Sequence, residues 1–572
     1  MTATTTGLMG QSLPHRRALV FGPVVILLSL GVLVIVAYPL LAIVQQAFFP
    51  GRVLDLTAFG RVVADPDIYV AVWNTVLMVV LSGILAIAVG GALAWVNERT
   101  DARLAWASTY LPLLPLLVPS IASVIGWVML AAPQAGLLNV MLRAVLAWLG
   151  IDLRTGPLNV YSWPSLIFVL ALYFVPYAFL MISAALQNLD PRLEEASRVH
   201  GAGPFRTAWR VTLPAVAPSI GGAAVLIVIT GFAIFSVPVV IGTGANIDIL
   251  SVHIYRLLFT YGDTNGIGAA IVLSLLLLFV VQSALLLQLF LSSRGRHAVI
   301  AGKGSAGARI TLGRGRWLVR LGILAYVALA AVLPILGLLL VSLQRFWSPR
   351  IAWAQLGVAN YRTILFGNLQ TGTALANSLM LAAGTATAVI LLSAVFATYY
   401  AQTGPRLQRF SEFVMAVPGA VPHTVIAVGF ILVFSRGVLS LQGTLLLLAL
   451  AYLVISLPQG QRAASAAYNQ VGKELSEASR ICGASLLQTF RRVVLPLMAR
   501  GLFVGWVIVF AQLVGELTAS AMLSGTKNPV VGFIILNLWE NGSFPQVAAL
   551  AIIITAIDVL VVLAVFRNWR NG

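Results

Sequence analysis

The stretch Glu195-Ala196-Ser197-Arg198-Val199-His200-Gly201-Ala202, continuing to Arg210-Val211-Thr212-Leu213-Pro214, occurs a second time as Glu477-Ala478-Ser479-Arg480-Ile481-Cys482-Gly483-Ala484, continuing to Arg492-Val493-Val494-Leu495-Pro496. Over these 20 positions 11 are identical at a constant offset of 282 (477 minus 195). Internal repetition settles architecture before any single element is assigned, so the chain reads as two copies of one unit. Asn74-Thr75 with Val118-Pro119 and Asn377-Ser378 with Val421-Pro422 form a second set of landmarks, at an offset of 303 (377 minus 74). The difference of 21 places an insertion in the first copy, between its third apolar run and the motif. Its expected site is Gln134 to Asn159, where Leu138 to Gly150 reads as a short amphipathic helix on the outer face.

Outward from the motif, the sequence is dominated by apolar runs. Hydrophobic residues make up 60% of the 572 and charged ones 9%, against about 25% charged in a soluble domain. A membrane-spanning helix needs about 20 consecutive apolar residues. Such runs lie near 18–47, 70–96, 105–132, 161–187, 215–241 and 268–292, and again near 317–344, 375–401, 410–435, 441–465, 500–524 and 546–566. They are continuous rather than alternating, which excludes a transmembrane β-barrel. The expected fold is therefore all-α: a polytopic membrane protein of about 12 transmembrane helices in two homologous six-helix domains, 1–292 and 317–572, joined by a linker over 293–316. The run after His15, Arg16 and Arg17 is about twice the apolar length of a signal peptide, so it reads as a retained first span.

Numbering the gaps alternately from a cytoplasmic amino terminus puts 25 of the 35 Lys and Arg residues on the cytoplasmic side. That excess fits the positive-inside rule and places both termini in the cytoplasm. The net charge of +18 is thus a matter of membrane topology, and no nucleic-acid partner is expected. Ser293 to Arg316 holds six basic residues, six glycines and no acid, a composition suited to a flexible linker. With Cys482 as the one cysteine, neither an intrachain disulfide nor a Cys-based metal site can form.

Both motif copies, within 190–214 and 472–496, fall in cytoplasmic gaps between the fourth and fifth spans of their domains. Physically the motif reads as a helix-turn-helix on the membrane surface. Gly201 or Gly483 takes the left-handed conformation that stops the first helix, and Leu213-Pro214 or Leu495-Pro496 lets the next span begin, since proline fits a first helical turn but not a helix interior. An ordinary basic loop would set topology equally well, but it requires only charge, not the same residues at the same spacing twice.

The pattern of Glu-Ala-Ser, a glycine five positions after the Ala, and a following Leu-Pro resembles the EAA loop of inner-membrane permease subunits of bacterial binding-protein-dependent ABC importers. The resemblance covers essentially the whole chain and is similar to the fused two-domain permeases of ferric-iron and thiamine importers. It implies that two copies of an ATP-binding subunit dock from the cytoplasm, one on each loop, and that a periplasmic or lipid-anchored binding protein delivers substrate. It carries the coupling role to Glu195, Ala196, Arg198 and Gly201, and to Glu477, Ala478, Arg480 and Gly483. Ser197 and Ser479 stand where a second alanine is common, a small-for-small change.

The sequence contains no phosphate-binding Gly-x-x-x-x-Gly-Lys-Ser/Thr loop, no His-Glu-x-x-His, no Cys-x-x-Cys and no Gly-x-Ser-x-Gly. The chain is therefore read as a transport subunit without its own ATPase, with no cofactor or resident metal. Glu516 in the eleventh span and Asp558 in the twelfth interrupt apolar runs. Intramembrane acids usually face a bundle interior or water, so Glu516 is expected to line the path and Asp558 to be structural. Used as an ion relay, the same two acids would describe an ion-coupled secondary transporter, the competing class. Pro112, Pro115 and Pro119, and Pro418 and Pro422 beside His423, interrupt the third and ninth spans, where kinks or breaks beside a path are expected. The tentative path residues are thus Glu516, Pro119, Pro422 and His423. The fusion, the linker sequences Ala301-Gly302-Lys303-Gly304 and Ile310-Thr311-Leu312-Gly313, and Gly515-Glu516-Leu517-Thr518-Ala519 resemble ferric-iron permeases. Iron(III) is the first substrate expected, with thiamine, 2-aminoethylphosphonate and polyamines as alternatives.

Overall fold

The computed structural model describes residues 21–104, 107–259, 264–294, 309–400, 405–435 and 440–570. The basic cluster at 15–17 and most of the linker lie outside the described residues. In the first half the helices are α1 (Phe21–Phe48), α2 (Pro66–Arg99), α3 (Ser120–Ala131), α4 (Leu137–Trp148), α5 (Trp163–Asn188), α6 (Pro191–Val199), α7 (Pro204–Ala233), α8 (Leu250–Phe259) and α9 (Thr264–Arg294). The second half repeats the series with α10 (Gly313–Ser342), α11 (Leu369–Tyr400), α12 (His423–Phe434), α13 (Leu445–Tyr468), α14 (Lys473–Ile481), α15 (Leu486–Val514), α16 (Thr518–Leu523), α17 (Val531–Glu540) and α18 (Phe544–Arg570). Ten of the described helices are long and apolar enough to cross a membrane. Two bent pairs, Ala107–Leu117 with α3 at 87° and Glu412–Ala420 with α12 at 98°, bring the number to twelve.

The bends fall at the repeated Val-Pro landmarks. Proline restricts the residue before it to extended backbone; Val118 (φ −98°, ψ 120°) and Val421 (φ −106°, ψ 122°) adopt it, and Pro119 and Pro422 then open α3 and α12. What a kink would have bent, the Val-Pro pair breaks.

The two halves exchange their first spans. α1 packs on α12 of the second half, and α10 packs on α3 of the first. A pair of glycines makes this possible: a Cβ on Gly429 would lie 2.9 Å from Pro39 Cβ, and one on Gly126 would lie 2.5 Å from the Pro334 carbonyl oxygen. These contacts are related by the repeat, since 429 is 126 plus 303, and they put the crossings of the two halves in register.

Three elements differ from the sequence expectation. First, the helix entering the fifth span does not restart at Leu213-Pro214; it runs unbroken from Pro204 to Ala233, and likewise from Leu486 to Val514. A π-turn at Ala208–Thr212 and another at Phe490–Val494 directly precede the two prolines, a local widening that accommodates a ring the regular ladder would reject. Second, the fifth and eleventh spans end earlier, at Ala233 and Val514, and short apolar helices α8 and α17 follow. Asn74 Nδ2 donates to the Asp248 carbonyl at 3.0 Å and Thr75 Oγ1 accepts from Leu250 N at 2.9 Å; Asn377 and Ser378 make the same two bonds to Pro529 O and Val531 N at 2.9 and 2.8 Å. The repeated Asn-Thr/Ser landmarks thus pin the starts of α8 and α17. Third, residues 309–312 of the glycine-rich linker pair with the segment after α2: Ile310 N donates to Arg99 O at 2.9 Å and Asp101 N to Ile310 O at 3.1 Å.

The insertion of the first half is α4 and its flanks. Asn139, fully buried, donates to Ala132 O and Leu158 O, both at 2.8 Å, and accepts from Leu158 N at 2.9 Å, closing the stretch into a compact loop.

Candidate coupling hairpins and translocation path

Each repeated motif folds as a helical hairpin. α6 opens with Asp190, whose side chain accepts from Arg192 N, and ends at Gly201. Gly201 has φ +80° and Gly483 φ +86°, a region that a Cβ disfavours. Gly201 N donates to Arg198 O at 2.9 Å and Ala202 N to Ser197 O at 3.1 Å; Gly483 and Ala484 repeat the pair at 3.0 and 3.2 Å. This is the Schellman closure of a helix carboxyl end, which reverses the chain into α7 and α15.

Of the residues singled out by sequence, Glu195 and Ala196, and Glu477, Ala478 and Arg480, are exposed, and Arg198 is half-buried. Exposed apolar side chains flank them: Val199 at 85%, Phe205 at 83% and Trp209 on the first hairpin, Ile481 at 78% and Leu487 on the second. Such a concentration of apolar surface around fixed helices is suited to receiving a protein partner. The serines that replace the common alanine are not passive. Ser197 Oγ lies 3.0 Å from Thr207 Oγ1 and Ser479 Oγ 3.0 Å from Thr489 Oγ1, closing both hairpins from inside.

Sequence reasoning missed Glu194. It is buried, and Arg99 Nε meets its carboxylate at 2.8 Å to Oε2 and 3.0 Å to Oε1, while Thr212 Oγ1 donates to Oε1 at 2.7 Å. A second guanidinium nitrogen of Arg99 donates to Leu186 O at 2.8 Å. The position equivalent to Glu194 is Ser476, so comparing only what repeats hides this site.

The four residues that the sequence reading expects on a path meet where the broken spans converge. Glu516 is not inside a span as expected: α15 ends at Val514, and Glu516 lies in the turn before α16. Ala519 N donates to Oε1 and Ser520 N to Oε2, each at 3.0 Å, so the carboxylate holds the backbone donors that a helix start leaves open. Ser520 Oγ donates to Oε2 at 3.1 Å, and the Tyr452 hydroxyl lies 2.7 Å from Ser520 Oγ. His423, the first residue of α12 after Pro422, brings Nδ1 to 3.6 Å from Glu516 Oε1. Pro119 closes the group from the first half, because a Cβ on Gly515 would lie 2.8 Å from Pro119 Cβ. The structure thus brings Pro119, Pro422, His423 and Glu516 together. At the repeat offsets His423 and Glu516 correspond to Ser120 and Ile234, and Ser236 donates to Ser120 Oγ at 2.9 Å, so the histidine–carboxylate pair is confined to one side of the junction. Asp558 is buried in α18, and its Oδ1 has no hydrogen-bond partner among the described residues.

The model of the family described as "Binding-protein-dependent transport system inner membrane component" matches residues 7–297 and 389–569. The chain belongs to that family. Both matched stretches contain one hairpin and one limb of the junction, so this permease carries two family domains in one chain. It is 24% identical over 553 residues to the ferric transport system permease protein FbpB of Actinobacillus pleuropneumoniae, covering 94% of this permease and 76% of that protein. A probable ABC transporter permease protein, y4fN of Sinorhizobium fredii, is 26% identical over 93% of each chain. The sulfoquinovosyl glycerol transport system permease protein SmoG of Agrobacterium fabrum is 26% identical and corresponds to 47% of this permease and 89% of its own length. This permease is accordingly a multi-pass transport subunit of an ABC importer in the inner membrane, rather than an enzyme.

Proposed function

We propose that this chain is the permease of an ATP-driven importer of iron(III). The observation that carries the reading is that the ferric transport system permease protein FbpB matches it across both halves, over 94% of the chain. Two copies of an ATP-binding subunit dock in the cytoplasm, one on Glu195, Ala196, Arg198 and Gly201 and their apolar flank, the other on Glu477, Ala478, Arg480 and Gly483. A binding protein delivers substrate at the opposite face, and both termini and the linker are cytoplasmic. Closure of the ATPase pair draws the hairpins together and opens the junction outward; hydrolysis resets it inward. Glu516 and His423 line the path, and the carboxylate supplies the negative charge that a cation crossing the membrane interior needs.

The experiment is substrate selection. The neighbouring binding protein is offered ferric ion, thiamine, 2-aminoethylphosphonate and spermidine, and the permease with its ATPase is reconstituted to import whatever is bound. Binding and ATP-dependent uptake of iron support the reading; selective binding of one of the three organic compounds replaces iron with that compound. As a control on the hairpins, Gly201→Pro and Gly483→Pro, which cannot take a positive φ, uncouple hydrolysis from uptake while the protein remains inserted.

A further inference from the structure

The segment Arg99 to Ala102 touches three parts of the molecule at once. The Arg99 side chain holds Glu194 of the first hairpin and Leu186 O at the end of α5. Its backbone pairs with Ile310 in the linker, and Asp101 Oδ1 accepts from Leu312 N at 3.0 Å. Arg320, in the first span of the second half, donates through Nε to Ala102 O at 3.1 Å. Both partners of the ion pair are largely out of water, with side-chain exposures of 13% and 6%, so removing either leaves the other uncompensated.

The ion pair is not repeated. At the repeat offsets, Glu194, Thr212 and Arg99 correspond to Ser476, Val494 and Gln402, which offer no charge pair. The second hairpin retains its Ser-Thr closure, but with serine and glutamine at these positions it cannot form this ion pair.

From this asymmetry we infer that Arg99 is a positioning residue: it ties the first coupling hairpin to the segment joining the two halves, so that the linker is part of the transmission and the two hairpins do not move equivalently. The inference rests on the proposed docking role of the hairpins. When the first ATPase subunit displaces α6, the pull reaches α10 through Arg99, Ile310 and Arg320 without passing through the membrane core. The second hairpin has no such route among the described residues.

The test uses the complete importer in vesicles, with ATP hydrolysed per substrate imported as the readout. Arg99→Ala should raise that ratio several-fold, Glu194→Ala should do the same, and the double variant should be no worse than either, because the two report one interaction. Arg99→Lys, which keeps the charge but loses the forked geometry, should restore part of the coupling. A second readout follows the linker: in a Cys482→Ser background, a maleimide should modify Ile310→Cys several-fold faster when Arg99 is alanine. Coupling in Arg99→Ala equal to wild type, additive effects in the double variant, or unchanged labelling of Ile310→Cys would each overturn the inference. If Gly201→Pro also leaves coupling intact, the docking role itself fails; if it uncouples while Arg99→Ala does not, only the tie fails.

Discussion

The hydroxyl of Ser197 lies 3.0 Å from that of Thr207, across the turn of the first hairpin. Ten residues separate them in the sequence, and Thr207 is buried. Replacing Ser197 with alanine leaves that hydroxyl without its partner, at a cost of about 1 kcal/mol. We expect Ser197→Ala, and equally Ser479→Ala against Thr489, to speed amide exchange in the affected hairpin, and Ser197→Ala combined with Thr207→Val to reverse most of the change. Exchange rates followed by mass spectrometry check both.

The glycines at the exchanged first spans make a second prediction. Gly126 and Gly429 face Pro334 and Pro39 at distances a Cβ cannot share. Gly429→Ala and Gly126→Ala should each destabilise the bundle by about 1–3 kcal/mol, the cost of overpacking. Gly384, in α11, has no atom within 4 Å of an added Cβ, and Gly384→Ala should change stability by less than about 1 kcal/mol. Thermal unfolding in detergent separates the two classes.

Glu516 supports a third. Its carboxylate accepts the backbone donors of Ala519 and Ser520, so Glu516→Ala removes a cap worth about 0.5–2 kcal/mol, and both stability and uptake should fall. Glu516→Gln keeps one carbonyl acceptor and removes the charge, so stability should change less while uptake of a cationic substrate still drops. Basal ATP hydrolysis by the assembled complex should survive both changes. Paired measurements of thermal unfolding, uptake and hydrolysis decide it.

Topology is the subject of the fourth. Reporter fusions at residue 305 and after Trp569 should read cytoplasmic, and a fusion at Gly150, at the end of α4, should read periplasmic. A periplasmic signal from the linker would reverse the placement of the hairpins.

Much of this was legible in the sequence because the repeat encodes geometry twice. Gly201 and Gly483 announced their positive φ, and the Val-Pro pairs marked the two breaks. Asn74-Thr75 and Asn377-Ser378 were recognisable as landmarks, although their bonds to the starts of α8 and α17 were not. Those short helices escaped because 10 residues fall well short of the about 20 that mark a span, so a reading for span-length runs passes over them. Glu516 was found as an acid in an apolar run, but its place in a turn depended on where α15 stops, which composition does not mark. Glu194 was hidden for a different reason: it sits beside the repeated glutamate, has no counterpart in the second copy, and is distinguished only by burial against Arg99, 95 residues away.

In the proposed function, ATP hydrolysis on a partner drives this permease. The most direct measurement is uptake of radiolabelled iron into vesicles holding the permease and its ATPase, with the loaded binding protein on the delivery side, in the presence or absence of ATP and of an imposed pH gradient. Uptake should require ATP and be indifferent to the gradient; uptake that ignores ATP and follows the gradient would contradict an ATP-driven importer.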